Sequence, residues 1–365
     1  MAMKLSLRSS RSLRSLRSLV GVGGGVVALA ALATLGACSG DYARVRGNST
    51  DGTLPGPAMP GVVDGSGGGS AAGSGGGGGA GSSGGSGTSG GGGTSGDGGD
   101  GGGVTGPWPG SSLVILPFAV QKQASGAGWG TALTDIVRHI PTTYGTQYDV
   151  PQDFIAWGDV GTLGIDGHLR IYQNVTGQRA NGFYLMKDRF ALVVEPPTTR
   201  VTSVAPYVPA SLRGSRFQSY LVDQAVTWDD TPTFILDQWN CETNGSEVAV
   251  ELGTAGSFAT PRDGVSGALE FTVYSLALGL AVESLDASYL ATYTQFREFL
   301  AWEAERAMGL YRAGAVLPSL ASTTQDAYYT AWKTSPDGKA LRNFARRTFN
   351  GAYVTKVLEI AAATE

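Results

Sequence analysis

Residues 151–174 read PQDFIAWGDVGTLGIDGHLRIYQN. Pro151-Gln152-Asp153 opens a helix: proline is tolerated in a first turn, and aspartate caps the free amides there. The stretch predicts a helix over 151–174. Gly158, Gly161, Gly164 and Gly167 weaken it, each by about 1 kcal/mol against alanine. Residues 181–194 alternate around Lys187-Asp188-Arg189 and predict a hairpin, closed by Pro196-Pro197. On the other side, residues 113–118 read as a short strand. Residues 131–140 read as a helix that stops before Pro141.

Beyond the hairpin, helical spacing dominates. Helices are expected over 210–224, 231–252, 265–285, 287–311, 322–333, 338–349 and 354–363. The second follows Asp229-Asp230-Thr231-Pro232, which suits a capped start with proline in the first turn. Tyr289, Tyr293, Phe296, Phe299 and Trp302 recur at helical spacing and predict a core face. The sum is a mainly α domain with a small β-sheet (α+β), over 111–365.

The residues before it are different. About half of the 57 glycines lie between Gly61 and Gly110, mixed with Ser, Ala and Thr. Such a stretch has too few side chains to bury to offset its ordering entropy. It predicts a flexible tether whose span, with the residues from Cys38 onward, is on the order of 45 Å. Residues 1–37 carry Lys4, Arg8, Arg11, Arg14 and Arg17, then an apolar run from Val20 to Leu35. That order is an export signal. The run is shorter than the roughly 20 residues of a spanning helix. Leu35-Gly36-Ala37-Cys38 resembles the lipobox of bacterial lipoproteins. The resemblance implies cleavage before Cys38 and lipidation of its sulfur, with the membrane as partner. Ser39 then favours the outer membrane.

Net charge is −4 with the five basic signal residues counted, so nucleic acid is not an expected partner. With Cys38 lipidated, Cys241 stands alone and is expected in the core. Two histidines, His139 and His168, exclude a His-rich metal site. Each reads as structural or as surface. No nucleophile elbow or phosphate loop stands in the folded part, and no cofactor is expected.

Trp157-Gly158-Asp159-Val160-Gly161-Thr162-Leu163-Gly164-Ile165 resembles the zinc-binding helix of metallopeptidases, which reads W-x-H-E-x-T-H-G-I in some families. That helix sets two histidines at i and i+4 on one face, with a glutamate base beside the first. Here Asp159, Val160 and Leu163 stand at those three positions. Asp237-Gln238-Trp239 looks like the downstream D-E-W of Glu-ligand zincins, with Gln238 at the third ligand position. Asn181 to Tyr184 and Glu195-Pro196 would form the sheet edge and the loop leaving it. The resemblance spans 157–252 and implies a zincin-like domain whose site has decayed. Leu has no lone pair, Gln only a neutral oxygen, and Val160 accepts no proton. No metal is expected there.

His168, Asp237 and Glu242 are the candidate lining of a cleft. His168 lies about 180° round a straight helix from Asp159, so the two would not share an ion. Glu247 and Glu251, at i and i+4, read as a solvated face. The expected function is presentation of a non-catalytic module to a peptide or an envelope protein. The alternative is an active hydrolase or metallopeptidase with an atypical site.

Overall fold

The computed structural model describes residues 112–144, 148, 153–170 and 179–361. The signal-like segment, Cys38, the glycine-rich stretch and residues 171–174 lie outside the described residues. The domain is mainly helical, with one three-stranded antiparallel sheet. In chain order the strands are β1 (Ile115–Pro117), β2 (Ala180–Tyr184) and β3 (Arg189–Val194). The helices are α1 (Gly130–His139), α2 (Phe154–Leu169), α3 (Phe234–Thr254), α4 (Ser266–Leu285) and α5 (Ala287–Thr292). They continue with α6 (Thr294–Ala315), α7 (Thr323–Thr334), α8 (Lys339–Thr348) and α9 (Gly351–Lys356).

Asp153 caps α2, its Oδ1 accepting from the Ile155 amide at 2.9 Å. The glycines of α2 do not break it, because they are its packing surface. A methyl group on Gly158 would lie 3.3 Å from the Gly245 Cα of α3, and one on Gly161 would lie 2.8 Å from Ile136 of α1. Close approach recovers in dispersion and burial what the glycines cost in propensity.

The sheet has the order β1-β3-β2, with Ala191 facing both Ile115 and Phe183. Its hairpin turns over residues 185–188, two positions before the expected tip. Met186, Lys187 and Asp188 all adopt left-handed φ, at 65°, 55° and 58°. Non-glycine residues seldom do so singly, and three in succession need outside support.

Four expected helices differ. The one expected over 151–174 ends at Leu169, where Arg170 turns to extended backbone. Residues 210–224 form a 3-10 turn (Ala210–Leu212) and a π turn (Ser219–Asp223) instead. Their amides are claimed by α4: Gly214 donates to the Tyr274 hydroxyl at 3.1 Å and Arg216 to Glu270 at 3.0 Å. The helix expected over 287–311 is interrupted at Tyr293, where φ and ψ are −98° and 80°. The last helix begins earlier than expected, at Gly351, because the Asn350 side chain accepts from the Tyr353 amide at 2.8 Å.

α4 is long and apolar enough to cross a membrane, yet its side chains are buried on nearly every side. It packs against α3 and α6 as a core helix. Tyr289, Phe296 and Phe299 join this core, while Tyr293 and Trp302 are only half-buried. Cys241 is sealed within α3.

Candidate functional site

α2 and α3 carry the residues singled out from the sequence. Asp159 packs on Gly245, Thr162 meets Asn244, Asp166 meets Asn240 and Arg170 meets Asp237. The numbers climb along one helix and fall along the other, so the pair is antiparallel. Leu163 and Gln238 are fully buried, and Val160 is half-buried. The Asp159 residue is half-buried too, but its Oδ1 is sealed from solvent. Burial, then the nearby Glu242 charge, push its carboxyl well above the ordinary range.

Glu242 and Asp159 are thus neighbours across the helix pair. Glu242 meets Arg216, which enters from the segment before the π turn and whose charge also acts on Asp159. Its Nε donates to Glu242 at 2.7 Å and its Nη1 to the Ser266 hydroxyl at 2.9 Å. The same Nη1 stands 3.6 Å from Asp263 and 3.5 Å from Glu270. Burial works against a charged guanidinium, but Glu242, Asp263 and Glu270 outweigh it and hold Arg216 ionised. Burial raises the Glu242 carboxyl as well, with Arg216 opposing. A groove of about 630 Å³ opens beside this cluster, lined in part by Ser215, Asp263, Ser266, Glu270, Gln325 and Tyr328. Arg216 and Glu270 carry no local motif, so the sequence gives no sign of them.

The other cleft candidates lie apart. Asp237 forms a buried ion pair with Arg170, whose Nε also donates to Asn181 at 2.8 Å. Asn181 and Thr233 both donate to Glu195, tying the sheet to the start of α3. Burial, with Arg170 opposing, pushes Asp237 up to about 6, and burial takes Glu195 to about 7. This is a brace rather than a cleft. His168 lies beside the Phe118 ring, 6.3 Å between centroids, and burial lowers its pKa. Glu247 pairs with Arg306 at 2.7 Å. Glu251 accepts from the Thr131 and Ala132 amides at 2.7 Å each, so it caps α1 from a neighbouring helix.

A second cluster was visible in the sequence only as a spacing. Asp135 and His139 are i and i+4 on α1, and the hairpin tip brings Asp188 to them. Their ligating atoms all lie within 4.8 Å of one another. His139 is completely buried, Asp135 partly, and the Asp188 side chain is 65% exposed.

No family model, curated protein or solved structure matches this chain.

Proposed function

We propose that the protein is an exported, lipid-anchored module that does no peptidase chemistry at its α2–α3 pair and binds a peptide or envelope partner through the groove beside Arg216. The signal-like residues 1–37 and the lipobox-like Cys38 support the anchor, probed in the outer membrane first. One observation carries the rest. At two of the ligand positions of a zincin, Leu163 and Gln238 are sealed in the core, and beside them Arg216 is paired with Glu242. Leu163 offers a metal no lone pair and Gln238 only a neutral oxygen. Gln238 supports a vestigial reading in a second way. Its buried amide makes no hydrogen bond among the described residues, a cost of about 1–3 kcal/mol that packing alone would avoid with an apolar residue.

The groove's chemistry indicates its ligand. Asp263 and Glu270 line the groove, and Arg262, the cation of the lining, is paired with Asp153. The exposed Asp263 carboxylate attracts a cationic group, such as a lysine or arginine of a peptide segment.

The test has two arms. Cys38→Ala should move the protein from the membrane to the soluble fraction; continued membrane fractionation refutes the anchor. The soluble variant should bind lysine-rich peptides in preference to glutamate-rich ones of equal length, and Asp263→Asn should weaken that binding severalfold. Peptide hydrolysis that stops on chelation and on Asp159→Asn would refute the non-catalytic reading and restore the metallopeptidase alternative.

A further inference from the structure

We propose that Asp135, His139 and Asp188 form a site for one divalent transition-metal cation of the zinc class, made of residues other than those of the α2–α3 flank and independent of its interpretation. The first two residues stand one turn apart on the same face of α1, the spacing by which a helix offers two ligands to one ion. The third is delivered by the left-handed tip of the hairpin. That tip is held from outside. The Lys187 amide and the Tyr184 hydroxyl each donate to Asp135 Oδ2 at 2.8 Å, and the Asp188 carbonyl accepts from the Phe118 amide at 2.8 Å. Asp135 Oδ1 is left to face the imidazole side, 3.7 Å from Nδ1.

The histidine ring supplies the decisive observation. Its Nδ1 lies 2.7 Å from the Asp135 carbonyl and 2.7 Å from the Tyr184 oxygen. The tyrosine proton goes to Asp135, so Nδ1 is the donor in both contacts and carries the ring proton. Metal-bound histidines are oriented in this way, by a carbonyl on the nitrogen that does not bind. Nε2 then presents its lone pair on the Asp188 side. It is sealed from solvent and makes no hydrogen bond among the described residues, although Asp188 Oδ1 stands only 2.9 Å away. At that separation a missing bond means that the oxygen lies well off the nitrogen's axis. A proton on Nε2 would therefore be poorly shared. A cation would not: two ligands each about 2.0–2.2 Å from one ion, at roughly a right angle, stand about 3 Å apart.

Charge and donor type narrow the ion. Two carboxylates neutralise a dication, and one neutral imidazole favours zinc or its first-row neighbours over calcium, which takes oxygen ligands, and over copper(I), which prefers sulfur. The exposed Asp188 side leaves an entry path and room for water as a further ligand. Bound there, the ion would clamp the hairpin onto α1.

The test uses the Cys38→Ala chain, stripped with a chelator, loaded with Zn²⁺ and freed of excess metal. Elemental analysis should find about one zinc per chain. Asp188→Asn should retain none, or bind about tenfold more weakly, because asparagine tolerates the left-handed backbone but lacks the charge. Circular dichroism should match between the two. Asp263→Asn, in the groove, should keep the zinc. Co²⁺ should give visible d–d absorption with the parent chain and not with Asp188→Asn. A parent chain that retains no zinc, or an Asp188→Asn chain that binds it equally well, overturns the site.

Discussion

The α2–α3 flank and the hairpin tip both gather carboxylates against a helix, yet they balance charge in opposite ways. At the flank the chain provides its own cation: Arg216 reaches in from a loop and is held by Glu242, Asp263 and Glu270. At the tip, among the described residues, no guanidinium or ammonium pairs with Asp135 or Asp188, and a buried imidazole nitrogen faces Asp188 without a hydrogen bond. A counter-ion carried covalently offsets the acids beside it. A site without one is open to an ion from solution. The acids alone do not distinguish the two; the nearby basic side chain does.

The largest effect should come from removing that built-in cation. Arg216→Met leaves Glu242 and Glu270 buried without their partner, which should cost about 3–5 kcal/mol in denaturant unfolding. A loss below 1 kcal/mol would break the comparison, since Arg216 would then not be what balances the flank.

A middling effect should follow pH. Burial pushes Glu195 and Glu303 each up to about 7 from an ordinary 4.5. The folded state thus holds protons there that the unfolded chain has released. The stabilisation is complete below about pH 4.5 and is lost as pH rises through 7, on the order of 3 kcal/mol per group. These two groups should make thermal stability lower at pH 8 than at pH 5. Glu303→Gln should flatten the slope, and a slope that does not change would remove Glu303 from the account.

The smallest effect should be at Glu251. Glu251→Ala leaves the Thr131 and Ala132 amides uncapped, for a loss of about 1 kcal/mol. Hydrogen exchange should quicken in the first turn of α1 while the amides of α4 stay protected. Equal quickening in both would mean that α1 does not open on its own.

Much of this fold was legible in the sequence because it is written locally. α1, α3, α4, α7 and α8 follow apolar spacing and begin or end within about three residues of their expected limits. The Arg216 segment was not legible. Its amides bond to Glu270 and Tyr274, more than 50 residues away, and that competition overrides its helical spacing. The hairpin was legible but its tip was not, since the left-handed run depends on Asp135 receiving the Lys187 amide. Of the candidate site, Asp159 and Glu242 came together as neighbours, while Asp237 and His168 went elsewhere. Side-chain chemistry is readable along a chain; which charges meet depends on contacts between distant segments.

For a chain exported as proposed, α4 poses a problem that bears on Glu270. An apolar stretch of 20 residues, met unfolded by a translocation channel, resembles a segment to be left in the bilayer. An acid within such a stretch opposes lateral release into lipid, most strongly at its centre. Glu270 stands one turn into α4 and would act before folding as a permit for complete passage. After folding the same carboxylate receives the Arg216 amide and faces its guanidinium. One charge would then serve twice, first to keep the helix out of the membrane and later to hold the folded core together.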